Sequence, residues 1–191
     1  MKTIGLLGGM SWESTVGYYQ AINKGVRESL GGLHSAKIAM YSVDFSDIEK
    51  LQHCGDWEST AEILIDGAKK VQAAGADVLL ICTNTMHKVA PQIESSIDIP
   101  LLHIADATAE TLVEKGIKTV GLLGTAFTME QDFYKGRLTN NYGLTVHIPT
   151  EIDREIIHKV IYKELCLGKI IPSSKIEYLR IIEDLAAQGA E

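Results

Sequence analysis

Cys82 closes a short apolar run, Val78-Leu79-Leu80-Ile81, and is followed at once by Thr83, Asn84 and Thr85. A thiol at the carboxyl end of a buried strand and just before a helix start can move protons, because the local dipole draws its pKa from about 8.5 towards neutrality. Two hydroxyls and an amide beside the sulfur are suited to holding a small carboxylate. A strand cysteine taken alone reads as a small core residue; the polar triplet gives this one a chemical meaning. A metal site built from Cys82, His87 and His103 fits less well, since one cysteine and two histidines without regular spacing match no usual ligand set.

Two further loops leave strand-like runs in the same way, "GGMS" at 8–11 and "GTAFT" at 124–128. In open parallel α/β sheets the ligand sits beyond the carboxyl ends of the strands, where these loops would lie. Neither is a nucleotide fingerprint: G-x-G-x-x-G is absent and no G-K-[ST] follows. They offer backbone N–H groups and hydroxyls at helix starts, which suit a carboxylate, although the same residues are also ordinary turn and N-cap chemistry.

The elements that must position these loops alternate along the chain. Strands are predicted at 3–7, 37–43, 77–82, 101–104, 119–123 and 145–147, and helices at 12–30, 57–74, 86–95, 106–115, 129–142, 152–167 and 173–187. Alternation of this kind makes parallel sheets covered by helices, an α/β fold with Rossmann-like layers. The chain also repeats itself. "IGLLG" at 4–8 returns as "VGLLG" at 120–124, 116 residues on, and "AAGAD" at 73–77 returns as "AAQGAE" at 186–191, with Gly75 and Gly189 separated by 114. Two such similar offsets argue for duplicated half-domains, 1–102 and 103–191, joined tightly around Pro100 to Asp106.

Composition limits the partners. The 191 residues are 46% apolar and 23% charged with a net charge of −7, an ordinary soluble globular balance that disfavours nucleic acid and anionic membrane. No apolar run approaches the ~20 residues of a membrane span, and no signal peptide is evident. Cys54, Cys82 and Cys166 form no CxxC pair, which fits a reducing, cytoplasmic setting.

Four stretches, "MKTIGLLGGMSWEST", "CTNTMHKVA", "LLHIADAT" and "GTAFTMEQDFYKGRLT", resemble the bacterial aspartate/glutamate racemases of the cofactor-independent aspartate/glutamate/hydantoin racemase superfamily. The resemblance covers the whole chain. It implies two pseudo-symmetric Rossmann-like domains, no pyridoxal phosphate or metal, and one cysteine from each domain on opposite sides of the substrate's α-carbon. By this likeness Cys82 is the first catalytic cysteine, Thr83, Asn84 and Thr85 bind a substrate carboxylate, and Met10, Gln52 and Thr125 line the pocket. A family lysine linked to strict aspartate preference aligns with Cys166, which points to the broad-specificity branch. The family's second cysteine follows the segment matching "AAQGAE", and the repeat offsets project it to position 196 or 198, past Glu191. The second domain is therefore expected to lack its last strands and C-terminal helix. The implied activity is interconversion of L- and D-aspartate or glutamate by a homodimer. The alternative is a shortened relative that binds a dicarboxylic amino acid without racemising it. Arylmalonate decarboxylases, which use one cysteine in the same superfamily, are a third possibility, but "CTNT" is closer to the racemases.

Overall fold

A computed structural model describes residues 1–191. The chain divides into two compact units, Met1–His103 and Ile104–Glu191, and it is α/β with parallel sheets in both.

The first unit contains β1 (Thr3–Gly8), α1 (Trp12–Leu30), β2 (Lys37–Ser42), α2 (Phe45–Cys54), α3 (Trp57–Ala73), β3 (Val78–Ile81), a 3-10 turn at Thr85–Val89 and α4 (Ala90–Glu94). Its sheet has the order β2-β1-β3, all parallel, with Ile4 beside both Ile38 and Val78. The continuous apolar run of β1 follows from this central place, since a strand covered on both faces has no polar side to alternate with. Helix α3 lies close over it: a Cβ on Gly5 would meet Val71 Cγ1 at 2.5 Å and the Val78 carbonyl at 2.8 Å. Leu7, Ile48, Leu64, Val71, Leu79 and Ile81 belong to the core beneath α3. Each fully buried side chain of this size contributes about 1.5–3 kcal/mol.

The second unit contains α5 (Ile104–Glu114), β4 (Thr119–Gly121), α6 (Ala126–Glu130), α7 (Lys135–Tyr142), β5 (Thr145–His147), α8 (Glu151–Lys163), a 3-10 turn at Leu165–Leu167 and α9 (Pro172–Ala187). β4 and β5 pair in parallel with Thr119 opposite Thr145. One cluster joins Ala105, Ala109, Tyr134, Leu138 and Leu144, and another joins Met129, Ile157, Ile181 and Leu185. Arg137 clamps α7 to α5 through a bidentate pair, Nε to Asp106 Oδ1 and Nη2 to Asp106 Oδ2, both at 2.6 Å.

Several elements differ from the sequence expectation, among them the helix expected at 86–95, which is a 3-10 turn at Thr85–Val89 followed by the short α4. α2 occupies a stretch the pattern leaves unassigned, started by the Asp44 side chain accepting from Ser46 N and ended by Gly55 in the left-handed region. The strand expected at 101–104 shrinks to a single bridge between Leu79 and Leu101, and Ile104 already opens α5. Pro100 offers a carbonyl to Leu79 N but has no N–H to extend the ladder. The helix expected at 129–142 is broken at Gln131, whose backbone is extended, and Tyr134 is buried just beyond the break.

Candidate active site

The first loop of the site leaves β1 at Gly8. Gly9 has φ +97, and a Cβ there would run into the Val43 backbone, so only glycine turns the chain without strain. The Met10–Ser11 peptide that follows is cis. Gly9 N donates to Thr15 Oγ1 at 2.9 Å, and the Thr15 hydroxyl donates to the Ser11 carbonyl at 3.1 Å. The first turn of α1 thus folds its own hydroxyls back onto the loop.

The second loop leaves β3 at Cys82, and the two loops are tied together. Cys82 N donates to the Leu7 carbonyl at 2.9 Å, continuing the sheet by one bond. The Ser14 hydroxyl lies 3.0 Å from the Cys82 carbonyl and 2.9 Å from that of Ser11. His87 Nδ1 donates to the Thr83 carbonyl at 2.8 Å, which fixes the tautomer of that buried ring and holds the backbone between Cys82 and Asn84. The His103 ring meets His87 edge to face at 4.4 Å between centroids. No group of three His, Cys, Asp or Glu side chains is arranged to hold a metal.

Cys82 is fully buried, and burial pushes its thiol up from 9.0 to about 12. This corrects the expectation of a thiol drawn towards neutrality. No α-helix begins at Cys82: the chain bends through 82–84 and then enters a single 3-10 turn at Thr85, too short to supply a useful dipole against the loss of water. In the ligand-free protein the sulfur is a neutral proton donor.

Of the other expected residues, Thr83 is half-buried, Asn84 is exposed and Thr85 is buried, all on the Cys82 loop. Met10 is buried in the core cluster of the first unit, and Gln52 is buried on α2. Thr125 belongs to the second unit, where it caps α6 by accepting from Thr128 N at 3.3 Å. There the Ala126 N–H is received by His158 Nδ1 from α8 at 3.1 Å. The expected site residues do not include Ser14, Thr15, His87 or His158, with His87 considered only as a metal ligand. For the first three a local signal exists, since Ser14 and Thr15 stand three and four residues after Ser11 and His87 stands four after Thr83. His158 has no such signal.

The arrangement presents a buried neutral thiol beside hydroxyl and amide donors at the carboxyl end of a parallel sheet. Residues 7–191 match the family described as Asp/Glu/Hydantoin racemase. A crystal structure of a candidate Asp/Glu racemase from Yersinia pestis is 55% identical, with a TM-score of 0.90, covering 100% of this chain and 83% of that one. An aspartate racemase homologue from Pyrococcus horikoshii OT3 is 33% identical, with a TM-score of 0.82 and the same coverages. The broad specificity amino-acid racemase RacX of Bacillus subtilis (strain 168) is 29% identical over 92 residues, which span 48% of this chain and 40% of that protein.

Proposed function

The chain belongs to the Asp/Glu/hydantoin racemase family, and from that premise we propose that it is an amino-acid racemase acting on aspartate, glutamate or both, without a cofactor, through proton transfer at the α-carbon with Cys82 as one of two thiols. The observation that carries the proposal is the buried Cys82 thiol at the end of β3, flanked by Thr83, Asn84 and Thr85. The triplet's donors hold a substrate carboxylate while the sulfur faces the α-carbon. Met10, Gln52 and Thr125 are assigned to the pocket walls on the same basis. A homodimer and a cytoplasmic setting belong to the same proposal; no helix is long and apolar enough to cross a membrane.

The pKa decides which half-reaction Cys82 enters first. With its thiol near 12, Cys82 starts as the acid: its S–H bond breaks, the proton goes to the α-carbanion, and the thiolate remains. The α-proton has by then left from the opposite face to a second base. In the reverse direction the Cys82 thiolate takes the α-proton back, and the substrate's ammonium group helps to stabilise that charge.

The test is racemisation of each enantiomer of aspartate and glutamate by a chain that supplies both thiols. Cys82→Ser should lower the rate by at least ~10³-fold with the fold intact, because a hydroxyl is a far weaker acid and a poorer base at this task. Cys54→Ser, on the exposed end of α2, should leave it unchanged. Retention of most activity by Cys82→Ser would remove Cys82 from the mechanism.

A second reading is favoured by the cysteine inventory. Cys54 ends a helix and Cys166 sits in the 3-10 turn after α8, so neither follows a strand as Cys82 does. Residues 1–191 thus supply one strand-end thiol, and on this reading they bind a dicarboxylic amino acid without inverting it.

A further inference from the structure

A cavity of about 510 Å³ opens between α1 and the loop leading to β2, lined in part by Tyr19, Asn23, Lys24, Arg27, His34 and Ser35. Tyr19, Asn23, Lys24 and Arg27 recur at the spacing of one helix face. The opposite wall is fastened to that face by Ala36 N, which donates to Asn23 Oδ1 at 3.0 Å, while Asn23 Nδ2 donates within the helix to the Tyr19 carbonyl at 2.8 Å. The loop is therefore held over the helix.

The charge in this cavity is uncompensated. The other three arginines all have carboxylate partners, Arg137 with Asp106, Arg154 with Glu130, and Arg180 with Asp153, Glu177 and Asp184. Arg27 and Lys24 enter no ion pair, and His34 stands across from them. Two open cations beside an imidazole form a local positive well for an anion in a chain of net charge −7. A guanidinium with an ammonium nearby matches phosphate oxygens in particular, by bidentate hydrogen bonds from one and a point charge from the other. At the far end Tyr19 presents a half-exposed ring. It precedes Arg27 by eight residues, about 12 Å along the helix axis, which is the reach from the base to the terminal phosphate of a nucleoside diphosphate.

We infer that this cavity binds a phosphorylated small molecule of the nucleotide class, with its phosphates on Arg27, Lys24 and His34 and its ring against Tyr19. The volume lies within the roughly 300–1,000 Å³ usual for small-molecule sites. The site is separate from Cys82, whose loop is tied to the opposite end of α1 through Ser14.

Isothermal titration of the 191-residue protein with ADP and with inorganic pyrophosphate tests this without reference to racemisation, so its failure and the failure of the racemase proposal are distinguishable. Both probes should bind, more weakly as salt rises. Arg27→Ala and Lys24→Ala should each weaken both by about tenfold or more, whereas Tyr19→Ala should weaken ADP and spare pyrophosphate. Lys115→Ala, on the other unit, should change neither. Absence of binding at millimolar concentrations of either probe, or wild-type affinity in Arg27→Ala, would overturn the site. ADP binding indifferent to Tyr19→Ala would overturn the nucleotide class.

Discussion

Burial determines what Cys82 can do before any substrate arrives. A thiol held near 12 is ionised in only about one molecule in 10⁵ at pH 7. The same shift couples the sulfur to stability. In the unfolded chain the thiol ionises near 9.0, while in the folded chain it stays protonated until about 12. Between those limits the unfolded state has lost a proton that the native state retains, so stability falls as pH rises through the window and is fully present below it. Urea unfolding of the wild type and of Cys82→Ala, compared at pH 8.5 and near pH 11.5 (roughly the ends of that window), should show the wild type losing on the order of 3–4 kcal/mol relative to the variant. A difference that does not change with pH would mean that water reaches the sulfur. Cys82 and its polar followers could be read from the sequence because a strand end and a reactive side chain are adjacent there. The direction of the pKa shift could not, since it depends on how closely the first loop covers the sulfur. Ser14, which ties the loops, bonds a carbonyl 68 positions away.

Helix α1 was readable end to end because Ser11 precedes it, Gly31 follows it and no break interrupts its 19 residues. Short elements were not: α2 has only ten residues, and α6 and α7 share a helical pattern that tertiary packing splits at Gln131. Two glycines, one just past β1 and one within α1, separate local propensity from positional demand. Gly17 lies within α1 with nothing within 4 Å of where a Cβ would sit, so Gly17→Ala should stabilise by about 0.5–1 kcal/mol. Gly9 has φ +97 and the Val43 backbone against it, so Gly9→Ala should cost about 2–4 kcal/mol and displace the loop that reaches Cys82. Thermal melts of the two variants should therefore move in opposite directions. A neutral Gly9→Ala would show that the turn after β1 is not constrained as the structure indicates.

The two halves of the chain use one junction twice, and the repeated strings mark it. After α3, Gly75 turns at φ +88, Ala76 N bonds the Val71 carbonyl, Asp77 N bonds the Thr3 carbonyl at 2.8 Å, and the Asp77 carboxylate receives Thr3 N. After α9, Gly189 turns at φ +100, Ala190 N bonds the Leu185 carbonyl, Glu191 N bonds the Thr119 carbonyl at 3.0 Å, and the Glu191 carboxylate receives Lys118 N. In the first unit that junction leads into β3 and Cys82. Residues 1–191 contain no cysteine after Cys166, and on the proposed two-thiol mechanism the stereochemical consequence for this stretch of chain can be measured. Inversion needs a base on one face of the α-carbon and an acid on the other, because a single thiol returns the proton to the face it came from. In D2O, each enantiomer of aspartate and glutamate incubated with the 191-residue protein should therefore show no D/L conversion above the uncatalysed rate. Any α-deuterium uptake should be confined to the enantiomer whose α-proton points at Cys82, and it should be slow, because the thiolate that must take that proton is scarce. Cys82→Ser should abolish the uptake. Racemisation by this protein at rates usual for enzymes would mean that a group other than a strand-end cysteine supplies the second proton.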